Sequence, residues 1–142
     1  MYTGLFHTHS ALRYIILIVL VLAVFKAISG WQQKSNYGKL EDKLSFFSMI
    51  FIHLQLVVGF ILYFVSPKVM LGDMALAMKT PAIRYYTVEH LLMMLLVVAL
   101  VTIGRIVSKR KSLDYLKHKT IAIYYGLALL LILVTVYWLM PS

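Results

Sequence analysis

Four apolar stretches dominate the chain, and little sequence lies outside them. They cover residues 5–25, 46–65, 85–104 and 121–140. About 20 apolar residues in a helix cross the hydrocarbon core of a bilayer, and none of the four stretches alternates as a strand does. With 62% hydrophobic and 13% charged residues, the chain is too apolar for a soluble domain. We therefore expect an all-α, integral membrane four-helix bundle of up-down topology, forming a single domain over residues 1–142.

The net charge of +9 is distributed unevenly between the two sides of this predicted bundle. Four of the basic residues lie toward one side, and ten lie in the loops after the first and third stretches, namely Lys26, Lys34, Lys39, Lys43, Arg105, Lys109, Arg110, Lys111, Lys117 and Lys119. The positive-inside rule places such loops in the cytoplasm. The sequence thus predicts a multi-pass protein of the bacterial inner membrane with both termini outside, and no nucleic-acid binding.

The residue types that are missing narrow the chemistry. Without cysteine, the chain has no iron–sulfur cluster, thiolate metal site, covalently attached heme or disulfide. The nucleophile elbow, nucleotide loop and zinc-protease motifs are also absent. The first stretch lacks the basic start of a cleaved signal peptide. Any redox or metal chemistry must therefore use His, Met, Tyr or carboxylates, and an electron-transfer protein or subunit is expected in preference to a stand-alone enzyme.

Histidines inside the apolar stretches are the main candidates for function, because a polar group in hydrocarbon is costly unless it is paired. Counting from the basic residue at the inner end of each helix, His9 lies 17 positions from Lys26 and His90 lies 15 from Arg105. At about 1.5 Å per residue, these depths are about 25 and 22 Å. The count predicts that His9 and His90 face each other at one level, because first and third helices usually lie diagonally in an up-down bundle.

Two histidines of different helices at one depth suit the axial ligation of heme iron. Arg13 follows His9 by one helical turn, and Arg84 lies six residues before His90. Arg84 is the expected partner of a heme propionate, while Arg13 is expected either in the same cofactor site or paired with Glu89. The sequence thus predicts non-covalent heme b bound by His9 and His90.

Two further histidines leave their roles open. His53 lies 10 positions from Lys43, about 15 Å up and close to the membrane midplane. It is a candidate ligand of a second, deeper cofactor, or a proton or quinone contact. His118, beside Lys119 at the inner rim, is either a cofactor ligand or part of a solvated basic face.

Two alternatives to heme binding remain. The first is a copper- or zinc-binding or transport protein, with metal held at the outer face by His and carboxylate ligands: His7, His9, His90, Glu89 and Asp73. The second is a heme-free accessory subunit whose polar residues form hydrogen bonds within the bundle.

The loop between the second and third stretches carries two local structure signals. Its methionine-rich segment, residues 69–78, fits a short amphipathic helix as well as a flexible loop. Thr80 and Pro81 suit the N-cap and first position of the third helix.

The order and spacing of several short motifs resemble those of a known group. These motifs are His7-Thr-His9-Ser-Ala-Leu-Arg13, His53-Leu-Gln55 with Gly59 and Tyr63-Phe-Val-Ser66-Pro67, Arg84 with Glu89-His90, and Lys117-His118-Lys119. The chain resembles small four-helix bacterial membrane proteins catalogued as cytochrome-b-like, over nearly its whole length. The resemblance implies b-type heme with ligands among His9, His53, His90 and His118. The expected partners are the lipid bilayer, a quinone and a respiratory or redox protein, and an oligomer is possible.

Overall fold

A computed structural model describes residues 2–141, and these residues form helices and no strands. Six α-helices and two π-helical turns follow one another in the chain, with the bounds α1 Tyr2–Gln33, α2 Lys39–Val65, α3 Met74–Lys79, α4 Pro81–Arg84, a first π turn Tyr85–Glu89, α5 His90–Arg110, α6 Asp114–Val134 and a second π turn Thr135–Leu139.

Four of the resulting helical segments are long and apolar enough to cross a membrane. They are Tyr2–Gln33, Lys39–Val65, Pro81–Arg110 and Asp114–Leu139. The all-α prediction and the number of long helices are therefore confirmed. Each segment extends beyond the predicted apolar stretch, because polar residues continue the helix at one or both ends. The first, for example, begins at Tyr2 and contains 32 residues, which is about 48 Å of helix.

The four long segments form a closed ring of neighbours. α1 packs against α2 and α6, and α5 packs against α6 and α2, so α1 and α5 lie diagonally across the core. Short connections over residues 34–38 and 111–113 lie at one end of the bundle, here called the basic end. The opposite end, called the terminal end, carries the first and last described residues and the connection that contains α3. Apolar side chains such as Ile16, Leu20, Val101 and Ile132 fill the core.

Close helix packing depends on two glycines. A methyl group at Gly104 of α5 would overlap the Cβ of Tyr124 on α6, and one at Gly30 of α1 would overlap the imidazole of His118. Small residues of this kind let neighbouring helices approach closely.

α2 is packed less completely than the other long helices. Its buried residues are Ser45 and Ser48, in the half nearer the basic end, and Ile52, at the middle of the helix. The interface between α2 and α5 is the smallest of the four in the ring. The half of α2 near the terminal end therefore leaves space beside the core.

The connection after α2 contains a short helix, α3, which is one of the two structures that the sequence left open for this segment. Asp73 caps it by accepting a hydrogen bond from the Leu76 amide at 3.0 Å. Pro81 occupies the first turn of α4 with Thr80 at the N-cap, as predicted.

Candidate functional site

A mainly apolar cavity lies in the half of the core nearer the terminal end. Its volume is about 100 Å³, and it is lined by all four long helical segments. Its apolar wall includes Ile52, Leu91, Met94 and Ile132. The polar side chains that line it are His9, Arg13, Gln55, Tyr63 and His90.

The rings of His9 and His90 meet in this cavity from the diagonal helices. Their centroids are 6.1 Å apart, and the ring planes lie at 73°. The depth count therefore predicted this juxtaposition, although the function of the two residues as ligands stays a prediction.

The first π turn immediately precedes His90 and sets the direction of its side chain. The His90 amide donates to the Tyr85 carbonyl, five residues back. In an α-helix, residues five apart lie about 140° apart around the axis, whereas a π turn brings them close to one face. Two side-chain contacts depend on this geometry: Arg84 with Glu89, and Tyr85 with His90.

Tyr85 connects His90 to the last helix. Its side chain is 2% exposed, and its hydroxyl donates to the Thr135 carbonyl at 2.9 Å. The same oxygen lies 3.4 Å from Nδ1 of His90. Because the hydroxyl hydrogen is used by Thr135, the oxygen can accept a hydrogen from Nδ1, which leaves Nε2 of His90 as the ring's free electron-pair donor.

The half of α2 near the terminal end supports the opposite side of the cavity. The Gln55 side-chain amide donates to the His9 carbonyl at 2.7 Å. A methyl group added to Gly59 would lie 3.4 Å from Cε1 of His9, an ordinary van der Waals contact, so an alanine would also fit beside the ring. Tyr63 donates to the Thr87 carbonyl at 2.8 Å and so connects α2 to the π turn.

Three buried polar atoms beside this cavity form no hydrogen bond within residues 2–141. They are Nδ1 of His9, Nε of Arg13 and Oε1 of Gln55. A buried polar atom without a partner costs about 1–3 kcal/mol. Their concentration around one cavity is what a site for a polar or metal-containing ligand requires.

Arg84 is not in the predicted cofactor site, whereas Arg13 is in the first of its two predicted positions. Arg84 forms an ion pair with Glu89, at 2.5 Å, and does not line the cavity. Arg13 lines the cavity and is not paired with Glu89. The expected Arg13–Glu89 pair is therefore wrong, because the π turn places Glu89 on the face of Arg84.

His53 lies outside the cavity, at the interface between α2 and α5. Its Nε2 forms a hydrogen bond of 2.7 Å with the Thr102 hydroxyl. The structure does not bring it together with His9 and His90, which is consistent with its different predicted depth.

His118 is fully buried at the basic end, so its interpretation as part of a solvated face is wrong. Its Nε2 is 3.0 Å from the Ser35 carbonyl, and its ring packs edge-on against Tyr37 with centroids 5.2 Å apart. The small Gly30 makes the space for this ring. His118 is thus remote from the cavity and joins the first loop to α6.

Of the residues proposed for an outer copper or zinc site, only His9 and His90 lie together. Within residues 2–141, no group of three or more His, Asp or Glu side chains is arranged to hold a metal ion. His7 is exposed, Asp73 caps α3, and Glu89 is bound to Arg84.

Two imidazoles are donors that heme iron accepts, but the cavity between them is small for a porphyrin. A metal–imidazole bond of about 2.0 Å plus a ring radius of about 1.1 Å puts two trans imidazole centroids about 6 Å apart. The observed 6.1 Å agrees with that value. The volume of about 100 Å³ is smaller than typical sites for ligands of this size, which are roughly 300–1,000 Å³. A porphyrin bound between these rings would require the half of α2 near the terminal end to lie farther from α5.

Comparison with protein-family models, with curated proteins and with solved structures finds no match for this chain.

Proposed function

We propose that this protein is a membrane-embedded b-type cytochrome in which His9 and His90 would bind the iron of one heme. The observation that carries the proposal is the meeting of two imidazoles from diagonal helices, 6.1 Å apart, in an apolar cavity. When bound, heme supplies a one-electron couple whose potential depends on its ligands, burial and nearby charge.

The residues around the cavity have separate tasks in this proposal. Arg13 provides positive charge for a propionate, in place of Arg84, whose guanidinium is bound to Glu89. Gln55 holds the backbone at His9, and Tyr85 orients the His90 ring. The apolar wall keeps water away, which favours electron transfer without side reactions.

The membrane setting is part of the same proposal. Helices of 26 to 32 residues with apolar surfaces suit a bilayer, and the excess of Lys and Arg at the basic end supports a cytoplasmic location for that end. The terminal end, with the heme, then lies on the outer side of the bacterial inner membrane. A quinone or a redox protein is the proposed electron partner.

An absorption spectrum of the purified protein in detergent tests the proposal. After expression with added heme, we expect a Soret band and α and β bands that sharpen on reduction with dithionite, with about one heme per chain by the pyridine hemochrome assay. Protein that takes up no heme, whether during expression or from hemin added afterwards, contradicts it. A colourless preparation with one equivalent of copper or zinc supports the metal-binding alternative.

A Tyr85→Phe variant tests the orientation of His90. The substitution keeps the ring but removes the hydroxyl that contacts Nδ1 of His90 and the Thr135 carbonyl. Loss of such a support to a ligand typically weakens binding about 10- to 100-fold, so we expect weaker heme retention and an altered low-spin electron paramagnetic resonance spectrum.

The neighbouring Tyr86→Phe variant is the matched control, and we expect it to keep the wild-type spectrum. A second readout uses heme-free protein: ¹⁵N chemical shifts of His90 should show protonation at Nδ1 in the wild type and a mixture of tautomers in Tyr85→Phe. Identical tautomer ratios in the two proteins contradict the orienting function of Tyr85.

A further inference from the structure

A second cavity opens at the basic end, far from the histidine pair. It has a volume of about 360 Å³ and lies between the first loop, the start of α2, the end of α5 and the start of α6. Its lining residues are Tyr37, Gly38, Lys39, Asp42, Ser108, Lys109 and Lys117.

Positive charge dominates this lining. Lys39, Lys109 and Lys117 come from three different helices, and none of them forms an ion pair within residues 2–141. The carboxylate of Asp42 is engaged, because Arg105 donates to it at 3.2 Å. Three lysines converging beside a neutralised carboxylate favour an anionic ligand.

A hydrogen-bonded network fixes the wall beneath the lysines. Arg105, 7% exposed, donates to the Ser45 hydroxyl at 2.6 Å, and that hydroxyl lies 3.1 Å from the Tyr37 hydroxyl. The backbone amide of Tyr37 donates to Asp114 at 3.0 Å. Burial raises the pKa of the Tyr37 hydroxyl, so this group stays neutral at physiological pH. Hydrogen bonds therefore hold the side chains of this wall in place, so the shape of the cavity is fixed by the fold.

The Lys117 ammonium is positioned above the ring of Tyr37, 5.8 Å from its centroid. This contact holds the lysine at the cavity while leaving its three N–H donors available to a ligand.

We propose that this cavity binds the phosphate group of an anionic ligand, and that the ligand is the headgroup of an acidic phospholipid. Phosphate oxygens suit several lysine donors at once. Two exposed apolar side chains lie on the same helix faces as two of these lysines, but farther from the basic end. Ile106 is one turn from Lys109 and 47% exposed, and Phe46 is two turns from Lys39 and 39% exposed. These side chains offer a surface for acyl chains below the headgroup. That the phosphate belongs to a lipid rests on the proposed membrane insertion. The phosphate site itself does not depend on heme binding.

The test measures thermal unfolding and lipid binding of heme-free protein in a neutral detergent. We expect phosphatidylglycerol to raise the unfolding temperature and phosphatidylcholine to leave it unchanged. The triple variant Lys39→Gln, Lys109→Gln, Lys117→Gln should bind phosphatidylglycerol roughly 100-fold more weakly, since lysines near an anionic surface contribute about 1 kcal/mol each.

The matched control changes three lysines of the same end that do not line the cavity, as Lys43→Gln, Lys111→Gln, Lys119→Gln. Its binding of phosphatidylglycerol should stay within a few-fold of the wild type.

Equal losses of phosphatidylglycerol binding in the two triple variants, or no loss in the first variant, overturn the proposal. A separate arm uses inorganic phosphate: if it stabilises the protein as well as phosphatidylglycerol and fails to do so in the first variant, the site binds soluble phosphate and the lipid source is wrong. Because heme is absent throughout, failure here is distinguishable from failure of the cytochrome proposal.

Discussion

Replacing either His9 or His90 with alanine should remove the Soret band completely. Each substitution deletes one of the two imidazoles that meet in the cavity, with centroids 6.1 Å apart, and leaves the remaining ligand alone in an apolar site. Because no covalent bond would hold the heme, its retention would rely on the two iron ligands and on the fit of the cavity; the cavity has a volume of only about 100 Å³, so loss of either ligand should release the heme. The measurement is the visible spectrum of protein purified after heme-replete expression, normalised to protein concentration.

Two other histidines provide matched controls for this experiment. His7 is exposed on the same helix as His9, and His53 is bound to Thr102 outside the cavity. Both His7→Ala and His53→Ala should keep full heme content, with unfolding temperatures measured in parallel to identify folding defects. Loss of heme in His53→Ala together with retention in His9→Ala would assign the ligands to a different pair.

Gly104→Ala should destabilise the bundle strongly, although it adds a single methyl group. That methyl group would overlap the Cβ of Tyr124, an atom that cannot move without the backbone of α6. Overpacking of a well-filled contact costs about 1–3 kcal/mol, so we expect a clear fall in the unfolding temperature in detergent.

Gly126→Ala gives the comparison, because no atom lies within 4 Å of the position that a methyl group would occupy there. Alanine is the better helix former by about 1 kcal/mol, so this variant should be unchanged or more stable. The same glycine-to-alanine change should therefore lower the unfolding temperature at Gly104 and leave it unchanged or raise it at Gly126. Equal unfolding temperatures for the two variants would show that the α5–α6 contact is not tightly packed.

The sequence was sufficient to predict an all-α fold with four long helices and to predict that His9 and His90 lie close together. Four long apolar stretches leave few alternatives to a helical bundle, and helical rise converts sequence position into depth with little dependence on packing. That is why the two rings were predicted to meet. The exact ends of the helices were not predictable, because polar residues such as Lys39 and Arg110 continue a helix as readily as they end it.

The arrangement around His90 could not be predicted in this way. An α-helical count puts Arg84 and Glu89 on different faces, and the same count separates Tyr85 from His90. The π turn brings both pairs together, and no residue in Tyr85–Glu89 is a recognised signal for it. Tyr85 was not found as a site residue for the same reason, since tyrosines near helix ends are ordinarily interfacial.

His118 shows a different limit of sequence reasoning. Its neighbours Lys117 and Lys119 are typical of a solvated segment, yet its ring is fully buried. The cause lies 88 positions away at Gly30, whose missing side chain makes the space. Burial of this kind depends on which residues a partner helix presents, and a linear pattern does not record that.

Two cross-helix hydrogen bonds bracket the α2 side of the histidine cavity. The bond between His53 and Thr102 lies nearer the middle of the bundle, and the bond from Tyr63 to the Thr87 carbonyl lies nearer the terminal end. Between them, ten residues of α2 span about 15 Å, and in this stretch Gly59 and Phe60 line the cavity. If the protein binds heme in a bilayer as proposed, this stretch would be the side entrance, and a flat apolar ligand would reach the cavity by partitioning into the lipid and passing between α2 and α5. Delivery of the cofactor would then depend on its concentration in the membrane rather than in water.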